Sequence, residues 1–140
     1  MPDKLYQVIY KLVIALNCKV LRNKEEIMKI ENLSSKIVYS DKTFTKRVVF
    51  NEDKVLNFIL NMMPGQALPP HTHESSDLVL HILSGNGEVT VDGINQTVSE
   101  GDVLYLKGEE VFSMKNTGDK NMSAFVIITP NPSAIYSKEV

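Results

Sequence analysis

The chain has a single cysteine, Cys18, among 140 residues. It cannot form an intrachain disulfide, and no Cys-x-x-Cys zinc knuckle exists. A reducing, cytoplasmic setting fits that usage best. Charge of one sign is also scarce: 15 basic against 17 acidic residues give a net charge of -2. With no basic stripe to meet a phosphate backbone, nucleic acid is not an expected partner. No apolar run is long enough to span a bilayer, so no membrane role is expected. The motifs of common nucleotide and hydrolase chemistry are missing too: no Gly-x-Ser-x-Gly, no Gly-Lys-[Ser/Thr] loop, no catalytic Cys-His pairing. Glycine (7) and proline (6) are modest, and nothing is low-complexity. The length allows one domain with one real core.

What is present divides at about residue 28. From Lys4 to Leu21, the apolar residues Leu5, Val8, Leu12, Ala15 and Leu16 recur at helical spacing without glycine or proline. They predict an amphipathic helix packed on the domain or on a partner subunit. Asn17 before Cys18 is wrong for a lipoprotein cleavage site, and no Ala-x-Ala site follows. A second reading concerns the start of translation. Lys24-Glu25-Glu26 precedes Met28 and can be encoded AAG-GAG-GAA, which contains a bacterial ribosome-binding signal. On that reading translation begins at Met28, and residues 1–27 are an artefact of start-site choice. The domain proper is expected over 28–140.

From Ile30 onward the chain reads as β. Val48 to Phe50 and Val55 to Met62 are rich in β-branched and large apolar residues. Leu78 to Leu83 suits a strand buried on both faces, broken by His81. Glu88 to Val91 alternates, Asp92-Gly93 supplies a hairpin turn, and Gln96 to Ser99 returns. Val103 to Leu106, Val111 to Lys115 and Ser123 to Thr129 follow, before Pro130 and Pro132 close the set. Short strands with turn signals every 8–12 residues or so indicate a sandwich or barrel.

The chemistry gathers around His71 and His73, which follow Pro69-Pro70. In extended chain, residues i and i+2 share a face, so both imidazoles can aim at one point. The prolines stiffen the approach.

These residues bring a family into view. Gly65, His71, His73 and Gly85 fall in register with the first motif of the cupin superfamily, and Gly101 and Asn116 with its second. The chain resembles that family over about residues 40 to 130. The resemblance implies an all-β, jelly-roll barrel (a double-stranded β-helix) carrying an N-terminal helical extension, and it leans towards a homodimer. It also implies a metal held by the two histidines, a glutamate and a second-motif histidine. Here the glutamate slot is Leu78, with Asp77 just before it, and the second histidine slot is Phe112. Lys107 and Glu109 stand where a proline and a glycine are expected. Two of four liganding corners are thus apolar.

A two-histidine, one-carboxylate set remains available if Asp77 or Glu74 supplies the acid. In a regular strand Asp77 points opposite to Leu78, so a bulge is needed to bring it in. His81 is expected to face away from Leu78 and Leu80. Phe112 and Met114 share a face by period two and, with Leu78, would wall a pocket. The leading expectation is a barrel that binds a small organic molecule between Leu78, Phe112 and Met114, with His71 and His73 as polar anchors and a partial divalent metal site (Fe, Mn, Ni or Zn). The rival is a metal-dependent oxygenase or isomerase using His71, His73 and Asp77 as ligands. A structural dimer with a closed interior is the third alternative.

Overall fold

The computed structural model describes residues 2–25 and 28–140, with side chains for 4–15 and 28–140. Leu16, Cys18 and Glu26, which entered the helix, compartment and start-site readings, lie outside the described side chains. The chain forms two compact units, Met1–Glu31 and Asn32–Val140. The first is built on one helix, α1 (Pro2–Glu25). On it Leu5, Val8, Leu12 and Ile14 are exposed. Among the described residues no helix is long and apolar enough to cross a membrane.

The second unit is a pair of antiparallel sheets. Its strands are β1 (Thr45–Glu52), β2 (Val55–Met62), β3 (Ala67–His71), β4 (Asp77–Ser84), β5 (Asn86–Val91), β6 (Ile94–Ser99), β7 (Val103–Leu106), β8 (Phe112–Lys115) and β9 (Met122–Thr129). One sheet runs β1-β2-β9-β4-β7 and the other β3-β8-β5-β6. This is the double-stranded β-helix that the family resemblance implies. Asp92 and Gly93 both have positive φ (48° and 79°) at the β5–β6 hairpin, as a two-residue primed turn demands.

Side-chain alternation sends one row of each strand inward. Leu56, Phe58, Leu60 and Met62 of β2 meet Leu78, Leu80 and Ile82 of β4 and Met122, Ala124, Val126 and Ile128 of β9. Val89, Val98, Phe112 and Met114 close the core from the other sheet. The segment from Leu78 differs from its expected two-faced burial. Leu78, Leu80 and Ile82 are buried and Val79, His81 and Leu83 only partly so, so the strand alternates between a core face and an outer face. His81 accordingly faces away from Leu78 and Leu80.

Asn116, the last residue of the second motif, is fully buried and structural. Its amide donates to Met62 O (2.9 Å) and Lys120 O (2.8 Å), and its Oδ1 accepts from Gly118 N (3.0 Å). These bonds tie the end of β2 to the turn before β9. After β9 the chain folds back. A 3₁₀ turn, Ala134–Ser137, leads to Val140, which exchanges backbone hydrogen bonds with Lys46 on the outer edge of β1. Glu139 accepts from Val48 N at 2.9 Å.

Candidate functional site

Proline shapes the approach to the two histidines. β3 is an edge strand, and its pairing with β8 is irregular between Leu68 and His71. Pro69 and Pro70 have no N–H to give to a ladder and are tolerated only in such a position. Beyond them His71 stands opposite Phe112. His73 lies in the following turn, pinned from two sides. Its amide donates to Gly108 O at 2.7 Å, and its carbonyl accepts from Ser76 N at 3.1 Å. Ser76 is itself buried, and its hydroxyl donates to Pro130 O at 2.7 Å.

The result is a convergence of ring nitrogens. His71 Nε2 and His73 Nε2 are 3.2 Å apart, with ring centroids at 4.6 Å and planes at 71°. His71 Nδ1 lies 2.7 Å from Pro69 O. A carbonyl can only accept, so Nδ1 carries the hydrogen and Nε2 the lone pair. A backbone partner on the far nitrogen is the usual support of a metal-ligating histidine. With metal–nitrogen bonds of ~2.1 Å, the 3.2 Å spacing would subtend roughly 100° at an ion, which tetrahedral and octahedral seats both accept. The pair therefore fits a divalent ion as two adjacent ligands. Without an ion the same contact is a hydrogen bond from His73 to His71.

Burial sets the protonation. His73 is 3% exposed, and its pKa is lowered to about 4 by burial first, then by the nearby His71 and Lys46. It is neutral near pH 7, as a metal ligand or hydrogen-bonding anchor must be. Aromatic rings flank the pair: Phe112 lies 5.8 Å from His71 and Tyr136 lies 5.4 Å from His73, centroid to centroid. The Tyr136 hydroxyl donates to Thr72 O at 3.2 Å, which holds the C-terminal segment over the turn.

Beside His71 opens a cavity of about 420 Å³, bordered by Phe44, Lys46, Leu68, Pro69, Pro70, Ile135, Tyr136, Lys138 and Val140. Lys46 is its unusual member. It pairs with Leu60 in the β1–β2 register and so shares the inward face. Its ammonium lies 4.1 Å from the centre of the Phe58 ring and donates to Tyr136 O. Burial lowers its pKa to about 8.

Three expectations need correction. Asp77 does not join the histidines. No bulge interrupts the start of β4, whose pairing with β9 shifts only between Ile82 and Ser84, so Asp77 stays on the outer face and accepts from the Tyr105 hydroxyl at 2.8 Å. Among the described residues no group of three or more His, Cys, Asp or Glu side chains gathers. Leu78 does not border the cavity beside His71, because β4 packs it into the core, and Met114 borders instead a second cavity with Ala67, Leu68, Pro69 and Pro70. Phe112 is core as well, yet its ring meets that of His71 at an interplanar angle of 72°. Glu74, the alternative acid, is exposed in the turn at φ 51°.

Sequence reasoning missed Lys46, Tyr136 and Gly108. Lys46 carried a signal: by period two it shares a face with Val48, a charge on an apolar stripe. Tyr136 carried none, since its position depends on the fold-back of the C-terminal segment.

Comparison with known proteins agrees with this architecture. A family model described as "Cupin domain" matches residues 58–128. A curated relative, the oxalate-binding protein of Thermotoga maritima, is 28% identical over 69 residues, which cover 49% of this chain and 57% of the relative. The chain thus spans little more than half the length of that protein. A crystal structure of a Thermus thermophilus protein superposes with a TM-score of 0.71 and 26% identity, over 75% of this chain and 100% of the other. An RmlC-like cupin protein from Desulfovibrio desulfuricans gives 0.67 and 26%, over 74% and 97%.

Proposed function

This chain belongs to the cupin domain family, and from that premise we propose that it binds a small organic molecule at the mouth of its barrel, anchored on His71 and His73. The observation that carries the reading is the 3.2 Å approach of the two Nε2 atoms beside a largely apolar cavity. The likeness to an oxalate-binding protein supports a small-molecule role. In this reading His71 and His73 also hold one divalent ion, iron, manganese, nickel or zinc. When bound, the ion supplies a Lewis acid at one end of the cavity. His71 keeps its lone pair aimed there through Pro69, and His73 stays neutral because it is buried. Phe112 and Tyr136 keep water from the flanks of both rings. The rival enzyme reading needs Asp77 as third ligand, and the strand turns that carboxylate to the other face. We also take the protein to be a cytoplasmic homodimer. That assignment is supported by the single cysteine and by exposed Val103 and Tyr105 on edge strand β7.

The test is calorimetric titration of metal-free protein with zinc and manganese, alongside a His71→Ala, His73→Ala double variant. One ion per chain, lost in the double variant, is expected. Equal uptake by both proteins, or none by the wild type, would sink the metal assignment. A thermal-shift screen of small acids and sugars tests ligand binding itself; no shift with any of them overturns it.

A further inference from the structure

Lys46 is a cation on the wrong side of a strand. Its neighbours along the inward face of β1 and β2 are apolar: Val48, Phe58 and Leu60. Desolvating an ammonium there is costly unless something of opposite charge offsets it. Burial lowers its pKa to about 8. What it does have is a carbonyl, Tyr136 O, and the face of Phe58. An ammonium has three hydrogens to donate, so Tyr136 leaves two unclaimed. The lysine also borders the cavity that His71 borders. Half-buried charges of this kind cluster at functional sites.

The remaining walls define the rest of the ligand. Phe44, Leu68, Pro69, Pro70 and Ile135 offer no charge, and Lys138 on the border adds a second cation. A volume of about 420 Å³ lies within the ~300–1,000 Å³ range of cavities that take drug-sized molecules. Oxalate, two carboxylates with nothing between them, would leave those walls bare. We propose that the ligand is a carboxylate with an apolar body: Lys46 pairs with its carboxylate, and Phe44, Leu68 and Ile135 pack on the body. This names a chemical class for the ligand-binding site proposed above and rests on that reading. It assigns charge recognition to Lys46 and not to the histidines. Pairing restores to the ammonium, as a charge-assisted hydrogen bond, part of the hydration lost on folding.

Titrating the metal-free full chain near neutral pH with phenylacetate, phenylacetamide and oxalate tests this. The acid should bind at least about tenfold more tightly than the amide, a difference of ~1.4 kcal/mol, and more tightly than oxalate. Lys46→Met should erase the preference for acid over amide. Lys46→Arg should retain most of it. The inference is overturned if wild type binds acid and amide equally or binds neither, if oxalate is preferred, or if Lys46→Met keeps the preference. Zinc uptake measured on the same samples separates the two proposals. Uptake with no acid preference removes the Lys46 role alone, whereas acid preference without uptake removes the metal assignment and leaves Lys46 standing.

Discussion

Gly108 accepts the backbone amide of His73 at 2.7 Å, and it does so from a place where no side chain fits. A Cβ built on Gly108 would lie 2.0 Å from Ser76 O and 2.5 Å from Glu74 O. Both are backbone atoms of the turn that presents His73, so the turn itself would have to move. Gly108→Ala is therefore expected to destabilise the fold by about 3 kcal/mol, the upper end of overpacking costs. It should also weaken zinc binding at temperatures where the variant is still folded. Unchanged urea midpoint and zinc affinity would contradict this placement of the turn.

His73 links stability to pH. Its folded pKa is about 4 against an ordinary 6.5, so between those values the unfolded chain binds the extra proton. Stability must then rise with pH through that window. The His73 contribution is complete above 6.5 and is lost as pH falls towards 4. Urea midpoints of the wild type and His73→Gln, taken from acid to neutral pH, should converge towards the acid end as the wild type loses this term. Parallel curves would show that His73 titrates normally.

Lys46 gives the opposite end of the scale. A folded pKa near 8 against 10.5 again means that the unfolded chain holds more protons between the two values. Wild-type stability should rise from pH 8 to 10.5 and Lys46→Met should lack that slope. Below pH 8 the methionine variant should be the more stable by roughly 1 kcal/mol, allowing for the solvent that still reaches a half-buried ammonium. Gaining stability while losing acid recognition is the behaviour of a residue kept for binding. A variant less stable than wild type at neutral pH would argue that Lys46 is structural.

The barrel was legible because its signals are local. Asp92-Gly93 fixed a hairpin by backbone geometry alone, and the His71-x-His73 spacing fixed a shared direction for two rings. Strand alternation even warned that Asp77 would point away from Leu78, and the regular pairing of β4 kept it there. The cavity was not legible, because its walls come from residues far apart in sequence. Phe44, Leu68 and Ile135 share no motif, and Tyr136 reaches His73 only after β9 has ended and the chain has doubled back. Leu78 was assigned to a pocket because apolar residues line pockets and cores alike, and only packing distinguishes them.

Phe112 stands where the family resemblance expects a metal-binding histidine, and its ring meets that of His71 at 5.8 Å between centroids. Register places the two residues directly opposite each other on β3 and β8. An imidazole at that position would add a third nitrogen facing the pair. Phe112→His should raise zinc affinity by at least about tenfold, or ~1.4 kcal/mol. It should lower stability without metal by about 1–3 kcal/mol, because a polar ring replaces a side chain that is 2% exposed. Phe112→Leu keeps the site apolar and should leave zinc affinity near the wild-type value. Calorimetry on all three proteins decides the matter. If the histidine variant folds and its zinc affinity does not rise, the two imidazoles do not face position 112 in the way their ring contacts imply, and the seat for an ion lies elsewhere.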